Sequence, residues 1–267
     1  MRKSWIARRG KYLLEHTTPV ILTFDEAANI ERTLAPLYWA RDIVIVDSGS
    51  TDDTLDIVSQ HPKARVIQRT FDNHAAQWNF AITETGIQSD WILALDADHV
   101  VTEEFVRELA LLTPPESVNA YRVSFKYCAL GHPLRGSLYP PLISLYRRGR
   151  AHYVQQGHTQ RLIVDGEIVP LESSLLHDDR KSFSRWLRGQ NRYMRLEADL
   201  IRNSPWKRLS RSNRLRMLIV PAPFLALLWS LIVKRTILDG IPGVFYGVQR
   251  MIAEFILSFH LISRFLR

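Results

Sequence analysis

The chain has 267 residues, of which 46% are apolar and 23% charged, with a formal net charge of +8. That composition excludes a disordered or fibrous chain and allows one full α/β domain of about 200 residues plus a remainder. A single cysteine, Cys128, excludes an internal disulfide and fits a reducing compartment.

The first residues are basic: Arg2, Lys3, Arg8, Arg9 and Lys11. No apolar run follows within the first fifteen, so a secretory signal is not expected and residues 1–17 read as a basic N-terminal segment. Residues 19–24 form an apolar run that ends in Asp25-Glu26. Thr23-Phe24-Asp25-Glu26 has capping-box spacing, which predicts a helix over 27–38. A second run, 42–46, ends in Asp47-Ser48-Gly49-Ser50. Asp52 and Asp53 then read as acids facing the dipole of a helix over 54–60. A shorter run, 65–68, ends at Arg69.

Residues 91–95 run straight into Asp96-Ala97-Asp98. A continuous apolar run of this length suits a strand buried on both faces. Thr102-Glu103-Glu104 opens a helix over 105–112, which Thr113-Pro114-Pro115 closes. Strands and helices alternate, predicting an α/β fold with a mostly parallel central sheet and helices on both faces. Right-handed crossovers gather the C-terminal strand ends on one edge. Asp25, Glu26, Asp47, Asp96 and Asp98 all fall there. Like charges so collected need a cation or a basic side chain, and a bound metal with Arg69 would serve. Oxygen ligands of this kind suit Mg²⁺ or Mn²⁺. The plainer reading of Asp96 and Asp98 is a strand end and a turn.

Farther along, residues 160–164 and 167–171 flank Asp165-Gly166, a favoured two-residue turn, and predict a hairpin. Leu175-Leu176-His177-Asp178-Asp179 reads as another strand end at a site. Asp178 and Asp179 are the candidates for a general base, with Asp178 ahead. The alternative is that Asp179 caps a helix starting near Ser182. His99, His158 and His177 are candidates for the acceptor side, or structural histidines. A helix over 183–201 leads to a boundary at Asn203-Ser204-Pro205.

Residues 206–216 carry five basic groups and no acid, and 217–233 carry no charge. The uncharged run is short for a crossing and holds Pro221 and Pro223, so a re-entrant or interfacial element is expected. Residues 245–267 predict an amphipathic helix. Its apolar stripe is Val248, Met251, Ile252, Phe255, Ile256, Phe259 and Ile262, with Arg250, Glu254, Ser258 and Arg264 opposite. A basic flank beside apolar and amphipathic segments points to an anionic membrane surface. Two core helices closing the domain are the alternative. No nucleic-acid fold motif is present, so nucleic acid is not an expected partner.

Thr23-Phe24-Asp25-Glu26, then Val44-Ile45-Val46-Asp47-Ser48-Gly49-Ser50-Thr51-Asp52-Asp53-Thr54, then Asp96-Ala97-Asp98 resemble the family-2 glycosyltransferases across roughly residues 18–180. Arg69-Thr70-Phe71 and Gln77-Trp78-Asn79-Phe80-Ala81 resemble the branch that adds sugars to lipopolysaccharide cores. Position 25 is Asp where the family has Asn, His99 stands where that branch has Glu, and Thr159 stands where close cousins have an acid. The resemblance implies a GT-A nucleotide-sugar-binding domain over 18–205, followed by C-terminal membrane-associated helices over 206–267. It implies an inverting transfer of a hexose from a nucleotide diphosphate sugar, a UDP-sugar, to a lipid-linked or cell-envelope glycan. Asp98, helped by Asp96, would hold Mg²⁺ or Mn²⁺ on the diphosphate. Asp47 would accept a hydrogen bond from the base ring, and Thr23, Phe24, Glu26, Gly49, Arg69 and Gln77 would border the donor. The expected location is the cytoplasmic face of a bacterial inner membrane, peripheral or monotopic.

Two other readings compete. Asp96 and Asp98 also fit the nucleophile motif of haloacid-dehalogenase-like phosphatases, with Asp178-Asp179 as the acid pair. Against this, a complete βαβαβ pattern precedes the motif, and the loop 47–54 would have no task. The other reading is a catalytically inactive nucleotide-sugar-binding protein.

Overall fold

The computed structural model describes residues 12–156 and 159–263. The chain divides into two compact units. Unit 1 is residues 1–126 and 139–179; unit 2 is residues 127–138 and 180–267. The division at Asp179/Arg180 lies upstream of the expected boundary at 203–205.

Unit 1 is built on a sheet whose strands run in the order β3-β2-β1-β4-β8-β6-β11-β5. These are β1 (Thr17–Thr23), β2 (Ile43–Asp47), β3 (Ala64–Gln68), β4 (Trp91–Asp96), β5 (His99–Val100), β6 (Val118–Ala129), β8 (Leu142–Arg147) and β11 (Glu167–His177). The first four in that order pair in parallel. β4 pairs β8, β6 pairs β8 and β11 pairs β5 antiparallel. The sheet is therefore mixed, not mostly parallel. The expectation was drawn from the first hundred residues, where each strand is followed by a helix. After residue 118 strands follow one another without crossover helices, and they pair antiparallel.

The two faces of the sheet follow from side-chain alternation. Ile21, Ile45, Trp91, Leu93 and Leu95 face one core, with α1 (Tyr12–Glu15), α2 (Ile30–Leu34), α3 (Thr54–Ser59) and α5 (Glu103–Leu111) contributing Leu13, Ile30, Val58 and Phe105. Val20, Val44, Val46, Ile92 and Ala94 face the other, covered by Trp78 and Ala81 of α4 (His74–Thr83). Both faces are covered, which is why the central runs read as continuously apolar.

Two local expectations are corrected. Thr23 does not cap a helix over 27–38: its hydroxyl donates to Asp47 Oδ1 at 2.9 Å, and the helix starts only after Asn29. The Asp165-Gly166 turn does not make a hairpin of its flanking strands. β10 (Thr159–Val164) pairs instead with β9 (Ala151–Gln156), while β11 joins the central sheet. The turn chemistry was read correctly, but long-range pairing decided the partners. The cap at Thr102 is present, its Oγ1 accepting from Phe105 N at 3.2 Å.

Unit 2 contains the short strand β7 (His132–Pro133), which turns back on the end of β6. Its helices are α6 (Phe183–Asn203), α7 (Arg211–Arg216), α8 (Pro221–Leu228), continued by a π-helical turn Trp229–Val233, and α9 (Ile241–Ile262). Pro221 and Pro223 do not interrupt a helix. They lie in its first turn, where a missing N–H is harmless. Of the apolar stripe expected on α9, Phe259 and Ile262 are exposed, while Glu254 and Ser258, expected opposite it, are buried beside Ala253, Leu257 and Leu261. Burial of Glu254 rests on a partner the sequence did not reveal. Arg216 Nη2 lies 2.8 Å from Glu254 Oε1, and its Nη1 lies 3.2 Å from Glu197 Oε1. No described helix is long and apolar enough to cross a membrane.

Candidate active site

The parallel strands end together. Thr23 is the register partner of Asp47, and Leu22 of Asp96. Asp47 is fully buried. Its Oδ2 accepts from Gly49 N and Ser50 N, each at 2.9 Å, and its Oδ1 from Thr23 Oγ1 and from Ser50 Oγ at 2.5 Å. Four donors fill the acceptor sites of a carboxylate. Asp47 thus shapes the loop. Gly49 takes φ +89, a left-handed conformation that favours glycine.

The loop is braced against the end of β1. Asp25 also has positive φ, +54, which Asp tolerates better than most residues. Its N donates to Ser50 Oγ at 2.8 Å, and its Oδ1 accepts from Thr51 N at 2.8 Å. Glu26 N donates to Thr54 Oγ1 at 2.7 Å, and Ala27 N to Asp52 Oδ2 at 3.2 Å. Asp52 therefore ties two loops together rather than only facing a helix dipole. Arg69 and Gln77 meet beside this loop. Arg69 Nη1 donates to Gln77 Oε1 at 2.5 Å, and Gln77 Nε2 to Ser48 Oγ at 3.2 Å. Phe24 is half-exposed at the same strand ends.

The second half of the site arrives by antiparallel pairing. β5 pairs with the end of β11, so that His99 opposes His177 and Val100 opposes Leu176. Asp178 N continues the ladder to Asp98 O at 2.9 Å. His177 Nε2 thereby lies 3.4 Å from Asp98 Oδ2. Donor atoms of Asp98, His99 and His177 fall within 4.8 Å of one another. Asp96 is half-exposed beside them, its Oδ2 3.7 Å from His99 Nε2.

The two imidazoles are not equivalent. His99 is buried, and its Nδ1 accepts from Asp96 N at 3.1 Å. The proton of the neutral ring then sits on Nε2, 3.2 Å from Tyr139 Oη. Burial pulls the His99 pKa down, against the pull of Asp96 and Asp98. At His177 burial also pulls down, but Asp98, Asp96 and Asp179 outweigh it and the pKa is raised. The donor set that fits a divalent cation is therefore Asp98 with His177 Nε2. His99 has no ring nitrogen left to ligate and stands behind as a hydrogen-bond donor. A carboxylate with an imidazole suits Mn²⁺ better than Mg²⁺.

Asp178 and Asp179 take different places. Asp178 is buried, with Oδ2 3.5 Å from Arg32 Nε, and its carbonyl accepts from Arg32 Nη2 at 2.9 Å. Asp179 is partly exposed, and its Oδ1 accepts from Asn29 Nδ2 at 3.0 Å. The same amide nitrogen donates to Glu26 Oε2 at 2.9 Å. Asp179 does not cap α6: Ser182 does, its Oγ accepting from Arg185 N at 3.4 Å. His158 lies outside the described residues. Asn29, Arg32 and Tyr139 were not anticipated, since nothing in their local sequence sets them apart.

Residues 19–121 match glycosyl transferase family 2. Over that stretch the chain is similar to this family. The fold is accordingly GT-A-like, with a mixed sheet. The lipopolysaccharide core biosynthesis glycosyltransferase LpsC of Rhizobium meliloti is 27% identical over 194 residues, covering 67% of this chain and 69% of that protein. An uncharacterized glycosyltransferase of Rickettsia bellii is 32% identical over 113 residues, 42% of this chain. This chain spans only 37% of the length of that relative. Among solved structures, S. aureus TarS 1-349 in complex with UDP-GlcNAc is similar at 15% identity and a TM-score of 0.47, over 94% of this chain and 91% of that one.

Proposed function

We propose that this chain is a family-2 glycosyltransferase that inverts the anomeric carbon of a nucleotide diphosphate sugar, a UDP-hexose, as it transfers the sugar to a lipid-linked or cell-envelope glycan. The observation that carries this is the pairing of β5 with β11, which gathers Asp98, His177 and Asp179 at the edge where Asp96 and the 47–54 loop end. Asp98 and His177 would hold a divalent cation, Mn²⁺ or Mg²⁺, which when bound would neutralise charge on the departing diphosphate. Asp96, Arg69 and the backbone of the 47–54 loop would border the donor, with Thr23, Phe24 and Glu26 beside the nucleoside.

Asp179 is the better base. It is accessible and oriented by Asn29, whereas Asp178 is held inward by Arg32 and serves to fix the strand end. In the transfer the acceptor oxygen bonds to the anomeric carbon while the bond to the diphosphate oxygen breaks. The acceptor's proton passes to the Asp179 carboxylate. Relatedness to LpsC supports a lipopolysaccharide-type acceptor, and with it a place on the cytoplasmic face of the inner membrane.

The test is a thermal shift with nucleotides and nucleotide sugars, with and without Mn²⁺. Stabilisation by a nucleoside diphosphate that requires Mn²⁺ and disappears in Asp98→Asn supports the transferase. Stabilisation by vanadate or beryllofluoride alone would favour the phosphatase reading instead. Nucleotide binding without turnover on any glycolipid would leave an inactive binding protein.

A further inference from the structure

Unit 2 carries a charge and an apolar surface that do not serve one another. It holds 18 basic and 4 acidic residues, a net +14, against 17 basic and 23 acidic, a net −6, in unit 1. Within unit 2, the inward face of α9 packs Ala253, Leu257 and Leu261 against Met194, Ala198 and Ile201 of α6. The same face carries Glu254 and Ser258, whose partners are Arg216 and the carbonyl of Ile219, 2.9 Å from Ser258 Oγ. Gly243 and Gly247 lie on the same face and allow close approach. A Cβ at Gly243 would meet Thr236 O at 1.7 Å, and one at Gly247 would meet Leu231 at 3.1 Å. The inward face is thus closed by packing and hydrogen bonds, and its orientation is fixed.

The opposite face of α9 is apolar from end to end. Ile241, Val244, Val248, Phe255, Phe259 and Ile262 follow one another at helical spacing. Ile241 is 79% exposed and Phe259 70%. The neighbouring strand of the helical hairpin extends this surface. Phe224 of α8 packs edge-on against Phe255 at 5.6 Å between ring centres and is itself half-exposed. Leu228, Trp229 and Ile232 continue outward along the π-helical turn, and Ile237 and Leu238 cover the tip. A surface of this extent marks an interaction site.

We infer that the hairpin of residues 221–262 lies in the plane of one leaflet of an anionic phospholipid membrane, with this outer face of α9 and α8 among the acyl chains. The inference deepens the membrane location proposed above and rests on it. Charge decides the occupant. A second copy pairing through the same patch would bring two +14 units together, which like-charge repulsion opposes. An anionic leaflet neutralises that charge. The basic groups are also in the right order along the chain: Lys207, Arg208, Arg211 and Arg214 precede the apolar run, and Lys234-Arg235 follow it. Trp206 and Trp229 are both half-exposed, and indoles favour the headgroup level. An in-plane helix needs no crossing length, in keeping with the absence of a spanning helix among the described residues.

The test is flotation of the full chain with vesicles of phosphatidylethanolamine and phosphatidylglycerol, against phosphatidylcholine alone. The wild type should float with the anionic vesicles and less so in high salt. Phe259→Asp and Ile241→Asp should each lower the vesicle partition constant at least roughly tenfold, the worth of one large apolar side chain. Both variants should keep the wild-type melting temperature and the nucleotide-induced shift. Loss of that shift in the wild type as well would count against the transferase reading while leaving the flotation result standing. The inference is overturned if the full chain does not float, or if both variants float as the wild type does. It is equally overturned if the chain sediments as a dimer that the variants convert to monomer. A large drop in melting temperature in both variants would overturn it too, because the face would then be packed against protein.

Discussion

Asp98 Oδ2 and His177 Nε2 stand 3.4 Å apart across the β5–β11 pairing, with His99 behind them. Asp98→Asn and His177→Gln should each abolish Mn²⁺-dependent stabilisation by a nucleoside diphosphate. Asp98→Asn keeps its shape and should shift the melting temperature of the metal-free protein by no more than a few degrees, while His177→Gln also loses the ring stacked on Tyr139. His99→Gln goes further, because it removes a fully buried ring and the acceptor for Asp96 N. It should cost about 1–3 kcal/mol of stability as well as metal affinity. Calorimetric titration with Mn²⁺ beside thermal melts separates the two classes.

The two adjacent carboxylates should part ways. Asp179→Asn is expected to bind donor nucleotide normally and lose ~10²–10⁴ in turnover, the usual worth of a general base. Asp178→Asn should instead destabilise unit 1 by about 1–3 kcal/mol, because Arg32 loses a buried partner. Turnover and melting temperature measured on both variants decide this. Full turnover in Asp179→Asn would move the base elsewhere.

Metal binding should strengthen as pH rises through the imidazole range. The raised pKa of His177 means that the metal-free protein holds a proton on the ring above the ordinary value of 6.5. That proton must leave before Nε2 can ligate. The linkage sign follows from the same shift. The His177 contribution to metal-free stability is full below the unfolded pKa and is lost as pH rises through the folded one. The Mn²⁺-induced rise in melting temperature should therefore grow from about pH 6 to about pH 8. A pH-independent Mn²⁺ shift would mean that His177 is not a ligand.

Asp47→Asn should be more damaging than its size suggests. Gly49 N and Ser50 N both point at Oδ2, so an amide nitrogen there sets donor against donor, and one at Oδ1 forces the Thr23 and Ser50 hydroxyls to turn round and accept. A loss of about 2–4 kcal/mol is expected, together with loss of nucleotide binding. Because Asp47 is fully buried, a stability change and a binding change should appear together. Loss of binding alone, with melting unchanged, would point to a direct contact with the base instead.

In unit 2, Glu254→Gln should destabilise the helices by about 1–3 kcal/mol, since Arg216 keeps only Glu197 as a charged partner. Proteolysis of the segment after Arg180 reads this directly. An unchanged cleavage rate would show that the buried triad contributes little.

The central strands, their order along the chain and the acids at their ends were legible because apolar runs and Asp-rich turns are local patterns. The similarity to glycosyl transferase family 2 was legible from the loop 47–54 and the Asp96-Ala97-Asp98 motif for the same reason. What the sequence by itself determined is therefore the edge on which Asp47, Asp96 and Asp98 end. Tertiary structure alone decided that β11 leaves the expected hairpin for the central sheet, which brings His177 to Asp98 and separates the roles of Asp178 and Asp179. It alone decided that Arg32 and Asn29, early in the chain, hold residues near its middle. It also decided which face of α9 is inside. A helical stripe of apolar residues fixes the existence of two faces, but not which one meets protein. Here the inward face packs Ala253, Leu257 and Leu261 into a core and holds Glu254 against Arg216, while the apolar stripe with Phe259 and Ile262 stays outside. Partners far apart in the chain leave no periodic trace, because a hydrogen bond or ion pair depends on where the backbone returns rather than on the residues beside it.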